Sequence, residues 1–498
     1  MNSDSKRIAK NTILLYIRML VLMCINLYTS RIVLNVLGVS DFGVFNVVAG
    51  VVIMFSVISS SLSTSISRFI TFELGKHDFI KLNRIFCTSV NVQFFISFII
   101  LLFAETLGLW FVNTQLVIPL NRIEAANWVF QCSIVIFIIN LTSVPYSALI
   151  IAYEKMSIYA FITVFEAVVK LLLIFVLYVV SSDKLIIYSI ILLVATALVR
   201  IIYWICCYRL FPESHFHFIF DKQLIREMTG FAGWSLIGTS AGVLRTQGVN
   251  ILLNMYFGPI VNAANGIATQ VNNAISSFAS NFVVAVNPQI IKLYSQNQLD
   301  DSYQLVMSGS RLSFMLMLLL ATPVIITTPQ LLELWLNVVP DYSVVFVRLI
   351  LILSLIEIMC HPLVTLNQAS GKIRDYQIVA GGIHLMNFPI SWILLKLGCI
   401  PEIVYVVAIF LAIINVYGRL FMLRRSISIS ISKFNREVIL KVVATSLSTL
   451  VMTLIICKYI ELFYLLLLLT LLSNFISIWL FGLKSSERNI VIIKIFRK

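Results

Sequence analysis

The chain has 498 residues, 60% of them hydrophobic and 12% charged, with a mean hydropathy of +0.99. A soluble domain carries roughly 25% charged residues, so this composition cannot furnish a water-exposed surface. The formal net charge of +14 would suit nucleic acid, but the basic residues follow membrane topology instead.

Apolar runs of about 20 residues, enough to cross a bilayer, recur along almost the whole length. The alternation of an outer-membrane barrel is absent. The prediction is an all-α polytopic membrane protein with about fourteen spans, near 12–37, 42–67, 85–112, 123–149, 158–180, 185–208, 229–257, 260–287, 312–334, 342–369, 376–395, 403–423, 440–457 and 462–483. With the N-terminus inside, most Lys and Arg fall in cytoplasmic segments, and the opposite side carries Arg122, Lys184, Lys396 and Lys458. This asymmetry predicts that both termini are cytoplasmic. The basic excess then serves topology and contact with anionic membrane lipids, and no nucleic-acid partner is expected.

The opening MNSDSKRIAKN is short, polar and basic, and the apolar run behind it lacks a small-residue cleavage site, so it reads as a retained first span. That span holds Arg18 and Arg31 and no carboxylate. Each arginine lies about 9 Å from one end, so each can either snorkel or line a cavity. Gly38 falls in the turn that follows. The second span ends in SVISSSLSTSIS, whose hydroxyls suit close helix packing as well as cavity lining.

Glu166 and Lys170 stand at i, i+4 in the fifth span, a spacing that allows a structural ion pair or a charge gate. Arg200, Arg348 and Arg419 lie near span ends and read as snorkelling residues. Arg245, in the seventh span, is roughly 24 Å from the inner end and about 18 Å from the outer. It is too deep to reach either surface easily, which favours a cavity. The eighth span crowds Gln270, Asn272, Asn273, Ser276, Ser277, Ser280 and Asn281 into twelve positions and is expected to border water or protein. In the tenth, Glu357 and His361 precede Pro362, and an imidazole beside a carboxylate can carry a proton.

Eight cysteines are scattered without CxxC spacing, and adjacent Cys206 and Cys207 read as helix packing; no metal site is predicted. There is no GxxxxGK[ST] loop and no polar stretch longer than the 209–228 connection. No cofactor is expected, and the chain is not expected to be an enzyme.

Pro145, Lys155 and Tyr159 recur in the same spacing as Pro362, Lys372 and Tyr376, LGLWFVN at 107–113 returns as LELWLN at 332–337, and Gly38 pairs with Gly258. Three echoes in one order predict a duplicated chain, as in many transporters. The expected organisation is a six-helix bundle over 1–208, a cytoplasmic linker at 209–228, a second six-helix bundle over 229–423, and a basic loop, two additional helices and a tail over 424–498. An even number of spans per half makes the repeat parallel. The Lys residues of the echo read as positive-inside anchors and its prolines as helix breaks or hinges.

The segment KNTILLYIRMLVLMCINLYTSRIVLNVLGVSDFGVFNVVAG resembles the start of bacterial polysaccharide-unit flippases, the O-antigen-type translocases of the multidrug/oligosaccharidyl-lipid/polysaccharide exporter superfamily. The matching features are Asn11, Arg31 and the LG-x-x-D-[FY]-G turn with Gly38, Asp41, Phe42 and Gly43. The resemblance implies two bundles around a central cavity in the bacterial inner membrane. It also implies alternating access that moves an undecaprenyl-pyrophosphate-linked oligosaccharide to the outer leaflet. A pyrophosphate needs cations, which assigns Arg245, Arg31 and Arg18 to substrate binding. Glu166, Lys170, Glu357 and His361 are then candidates for gating or coupling to H+ or Na+. Membrane lipids and polysaccharide assembly proteins are the further partners. The competing readings are a lipid II flippase, a multidrug cation antiporter of the same superfamily, and a membrane-embedded polymerase or ligase. The arginines of the first span weigh against the antiporter, and the missing external loop against the enzyme.

Overall fold

The computed structural model describes residues 3–488 other than 76–77, 154, 220, 371–372, 428, 461 and 486. Lys372 of the second Pro–Lys–Tyr set therefore lies outside the described residues. The chain divides into two compact units, Met1–Gly266 and Ile267–Lys498. The 209–228 segment lies within the first of them.

The first unit contains α1 (Ser3–Ile53), α2 (Ser56–Gly75), α3 (Phe79–Phe103), α4 (Leu109–Thr114), α5 (Ile123–Ala152), α6 (Met156–Ile174), α7 (Val176–Val179), α8 (Lys184–Leu210) and α9 (Lys222–Phe257). The division falls inside α10 (Pro259–Ser295). Aspartates cap three of these helices: Asp78 accepts from the Lys81 N–H, Asp183 from Leu185 and Ile186, and Asp221 from Gln223 and Leu224. In the core, α5 packs along α8 and α2, while α1 lies against α5 and α6. Phe86, Phe130, Ile134 and Leu149 are fully enclosed there. A π-helical turn at Ala104–Gly108 joins α3 to α4.

The second unit continues with α11 (Leu299–Ile326), α12 (Thr328–Trp335), α13 (Ser343–Ile358), α14 (His361–Ser370), α15 (Ile373–Leu385), α16 (Asn387–Lys396), α17 (Ile403–Ile427), α18 (Ile431–Phe434), α19 (Leu440–Tyr459) and α20 (Phe463–Ser477). Here α11 packs on α13 and α20, α17 on α13 and α15, and α19 on α20.

Among the described residues, eleven helical segments are long and apolar enough to cross a membrane, and the protein is a multi-pass helical membrane protein. Helices α2, α9 and α10, of 20, 36 and 37 residues, are not among the eleven. Their Ser, Thr, Asn and Gln content lowers their hydropathy, although each is long enough to cross.

The echoes have backbone counterparts. Gly38 breaks α1 with φ 80° and ψ 169°, and Gly258 separates α9 from α10 with φ 77° and ψ −171°. Both occupy a corner of backbone space that is essentially open to glycine alone. Helix α6 starts right after Lys155 and α15 starts in the corresponding place. The prolines differ, however: Pro145 sits inside continuous α5, whereas Pro362 lies in the first turn of α14 after a break at Met359–Cys360. A proline is tolerated in a first helical turn because that N–H has no partner to lose. Only Pro362 thus adjoins a break, and Pro145 does not act as one.

The two glycine turns also meet. A Cβ on Gly43 would stand 1.8 Å from the Pro259 carbonyl oxygen, and one on Gly266 would stand 2.9 Å from the Asn46 amide. Side-chain amides fill the space around this crossing. Asn250 donates to the Asn46 carbonyl at 3.2 Å, and its own Oδ1 accepts from Asn262 at 2.7 Å and Asn265 at 3.1 Å. Asn254 spans both polar atoms of the Val117 backbone, accepting at 2.8 Å and donating at 3.3 Å.

Candidate functional site

In the first unit, α1, α6 and α8 pack together and bring several ionisable side chains to one place. The Arg18 guanidinium lies 4.7 Å from the centre of the Tyr159 ring, the tyrosine of the first Pro–Lys–Tyr set. On α6, Lys170 donates to Glu166 at 2.5 Å, with both side chains about a third exposed. Tyr203 of α8 stands within the electrostatic reach of Tyr159, Glu166 and Arg18. Arg18 and the Glu166–Lys170 pair therefore belong to one cluster with a net positive charge, although their sequence positions suggest separate roles.

Arg31 and Arg245 are half-buried on α1 and α9. These helices pack against one another, so the arginines belong to adjoining helices of the first unit. In the second unit, α13, α14, α15 and α17 assemble a further cluster. Arg419 of α17 donates to the Tyr376 hydroxyl at 2.9 Å and lies 3.4 Å from His384 Nε2. His361, at the exposed start of α14, feels the charges of both Glu357 and Arg419. Tyr376 and His384 gave no signal in the sequence beyond the echo that includes Tyr376.

Three arginines read as snorkelling also have protein partners. Arg200 lies 4.1 Å from the centre of the Tyr146 ring, Arg419 binds Tyr376, and Arg348 donates to the Ile325 carbonyl at 2.9 Å. An arginine stem near a span end can turn inward when an aromatic face or a free carbonyl is nearer than water. Ser61 and Ser65 of α2 are buried; Ser61 donates to the Val57 carbonyl of its own helix at 2.8 Å and Ser65 to Met228 of α9 at 3.0 Å, so these hydroxyls serve packing. On α10, Asn272 accepts from Ser354 of α13 at 2.7 Å, a polar contact to protein.

At the opposite end of α1 from Arg18, Arg122 joins two carboxylates. It donates to Asp41 at 2.8 Å through Nε and to Asp183 at 2.5 Å through Nη1. Burial alone would raise the Asp183 carboxyl, but the Arg122 guanidinium and the N–H groups of Ile186 and Leu185 outweigh it and hold it below the ordinary 3.8. All eight cysteines are unpaired, and Cys207 is buried against the Tyr146 carbonyl. Among the described residues, no group of His, Cys, Asp and Glu is arranged to hold a metal ion.

The described residues thus form a helical membrane fold with ionisable clusters where helices meet. Residues 8–294 match the family described as polysaccharide biosynthesis protein, and the chain belongs to that family. Its fold is similar to that of the lipid II flippase MurJ in an inward closed conformation, with a TM-score of 0.71 and 12% identity over 98% of this chain and 100% of that one. It is also similar to an inward-facing multidrug resistance MATE family transporter of the MOP superfamily, with a TM-score of 0.64 and 13% identity over 80% of this chain and 94% of that one. A further likeness is to MATE in complex with MaD3S, with a TM-score of 0.58 and 13% identity over 84% of this chain and 96% of that one. No curated protein matches by sequence.

Proposed function

We propose that the protein translocates a lipid-linked oligosaccharide repeat unit from the inner to the outer leaflet of the bacterial inner membrane by alternating access. The observation that carries this reading is the family match over residues 8–294, a stretch that contains Arg18, Arg31 and Arg245. In this proposal α2, α9 and α10 join the eleven apolar segments to make fourteen spans. The first twelve form two parallel six-helix bundles, 1–208 and 229–423, around a cavity, with 209–228 as the cytoplasmic linker. The segment 424–498 adds the last two helices and a tail, and both termini are cytoplasmic.

Arg245 and Arg31 bind the pyrophosphate, and Arg18 receives it at the inner mouth. A doubly charged diphosphate crossing a low-dielectric interior needs fixed cations in its path, and Arg presents a fork that matches phosphate oxygens. Glu166 and Lys170 gate that mouth, and Glu357 and His361 bind the coupling ion, H+ or Na+. The glycan is the open choice. The family description favours a surface polysaccharide unit, whereas the likeness to MurJ over 98% of the chain favours lipid II as a second reading.

The test is reconstitution in liposomes with labelled undecaprenyl-pyrophosphate-linked oligosaccharide or with lipid II. Transfer of either to the outer leaflet at unchanged mass identifies the cargo, and a longer or transferred glycan would overturn the transport reading. Arg245→Ala and Arg245→Lys at equal protein levels complete it. Wild-type transfer by both variants would remove Arg245 from the path.

A further inference from the structure

Where α19 begins and just past the end of α20, the second unit gathers a cluster of charged side chains. Arg311 of α11 is fully buried; its Nη1 donates to the Glu437 carbonyl at 3.2 Å and its Nη2 to the Glu487 carboxylate, while Nε meets no acceptor. Lys484 donates to the Glu437 carboxylate at 2.7 Å, and its backbone N–H donates to Glu487 at 2.8 Å. Both carboxylates are thereby engaged. Arg488 closes the turn that follows α20 by donating to the carbonyls of Leu480 at 2.7 Å and Leu483 at 3.1 Å. Lys441, in the first turn of α19, stands in the field of Arg311, Lys484 and Arg488 against the single carboxylate of Glu487, with which it makes no ion pair among the described residues. Four cations thus face two acids.

The surroundings are those of a membrane interface. The first turns of α19 expose Leu440, Val443 and Leu447, the end of α20 exposes Ile476, and the π-helical turn Ile478–Gly482 behind it exposes Leu480 and Phe481. A soluble anion would gain nothing from this apolar rim. A glycerophospholipid would lay its acyl chains on it and bring its phosphate ester to the cations, and basic pockets between membrane helices recognise anionic headgroups in this way.

We propose that this end of the α19–α20 pair binds the headgroup of an anionic glycerophospholipid. Lys441 is its phosphate contact, Arg488 its second cation, and buried Arg311 supplies a fixed positive field from behind. The site does not depend on the identity of the transported substrate.

Native mass spectrometry of the full chain in mild detergent, after incubation with phosphatidylglycerol or phosphatidylcholine, tests it. The expected result is selective retention of phosphatidylglycerol. That retention should fall about fivefold in Lys441→Gln, the loss of one interfacial charge, and persist in Lys441→Arg. Lys458→Gln, at the far end of α19, serves as the control and should retain it fully. Equal retention of the two lipids, or unchanged selectivity in Lys441→Gln, would overturn the proposal. Displacement of phosphatidylglycerol by an equimolar amount of inorganic pyrophosphate would overturn it too, by assigning the pocket to a free phosphate.

Discussion

Arg122 and Asp41, 81 residues apart, form a two-point ion pair that ties the glycine turn of the first span to the start of α5. The second carboxylate on Arg122, Asp183, brings in the N-terminus of α8. The aspartate of the LG-x-x-D-[FY]-G turn is therefore a brace for three helix ends. Asp41→Asn should lower the thermal unfolding midpoint in detergent, with a loss of about 2 kcal/mol for a mostly buried pair. Arg122→Gln should cost more than Asp41→Asn, since it leaves two carboxylates facing each other. An unchanged midpoint in both variants would remove the bracing role.

The same brace should respond to acid. The folded Asp183 carboxyl is held below its ordinary 3.8. Its stabilising contribution is thus present in full above the ordinary value and lost as pH falls through the lower, folded one. Unfolding midpoints measured downward from pH 5 should drop more steeply for the wild type than for Asp183→Asn, which has no proton to take up. Parallel curves would contradict this assignment.

Two glycines at the crossing of the turns should differ in tolerance. At Gly43 an added methyl meets a backbone carbonyl at 1.8 Å, so the helices themselves must separate. Gly43→Ala should cost about 3 kcal/mol or more, as overpacking against backbone does, and should reduce the yield of folded protein. At Gly266 the obstacle is the Asn46 side chain at 2.9 Å, which can rotate. Gly266→Ala should therefore cost only about 1 kcal/mol. Chromatographic monodispersity and thermal midpoints of the two variants provide the comparison.

Arg311 offers a fourth measurement. Arg311→Met leaves Glu487 without its cation and should cost about 3–5 kcal/mol. Adding Glu487→Gln should recover part of that loss, because the abandoned charge accounts for much of the penalty. Protease sensitivity of the 484–488 region, together with the thermal midpoint, reads both effects.

The sequence announces features whose physics is local. Gly38 and Gly258 stand out because a left-handed φ admits little else, and the helix starts after Lys155 and near Ile373 follow the same spacing. Depth along a span is local as well, which is why Arg18, Arg31 and Arg245 were visible as candidates. Partners are not local. Arg200 and Arg419 sit near span ends, yet each faces a tyrosine on another helix. Arg311 adjoins the predicted ninth span at its edge, and its acceptors lie 126 and 176 residues further on. The pairing of Arg18 with Tyr159 likewise depends on how α1 meets α6.

Asn46 and Gly266 each lie eight residues past their own turn glycine, Gly38 and Gly258, and they touch each other. The contact therefore joins two places that stand at the same distance from their turns. Two asparagines there would collide, and two glycines would leave a gap. The crossing closes tightly only because these matched places are unlike: one carries a knob and the other a hole. That asymmetry makes the two turns non-interchangeable, so a chain carrying two copies of either one should not close there.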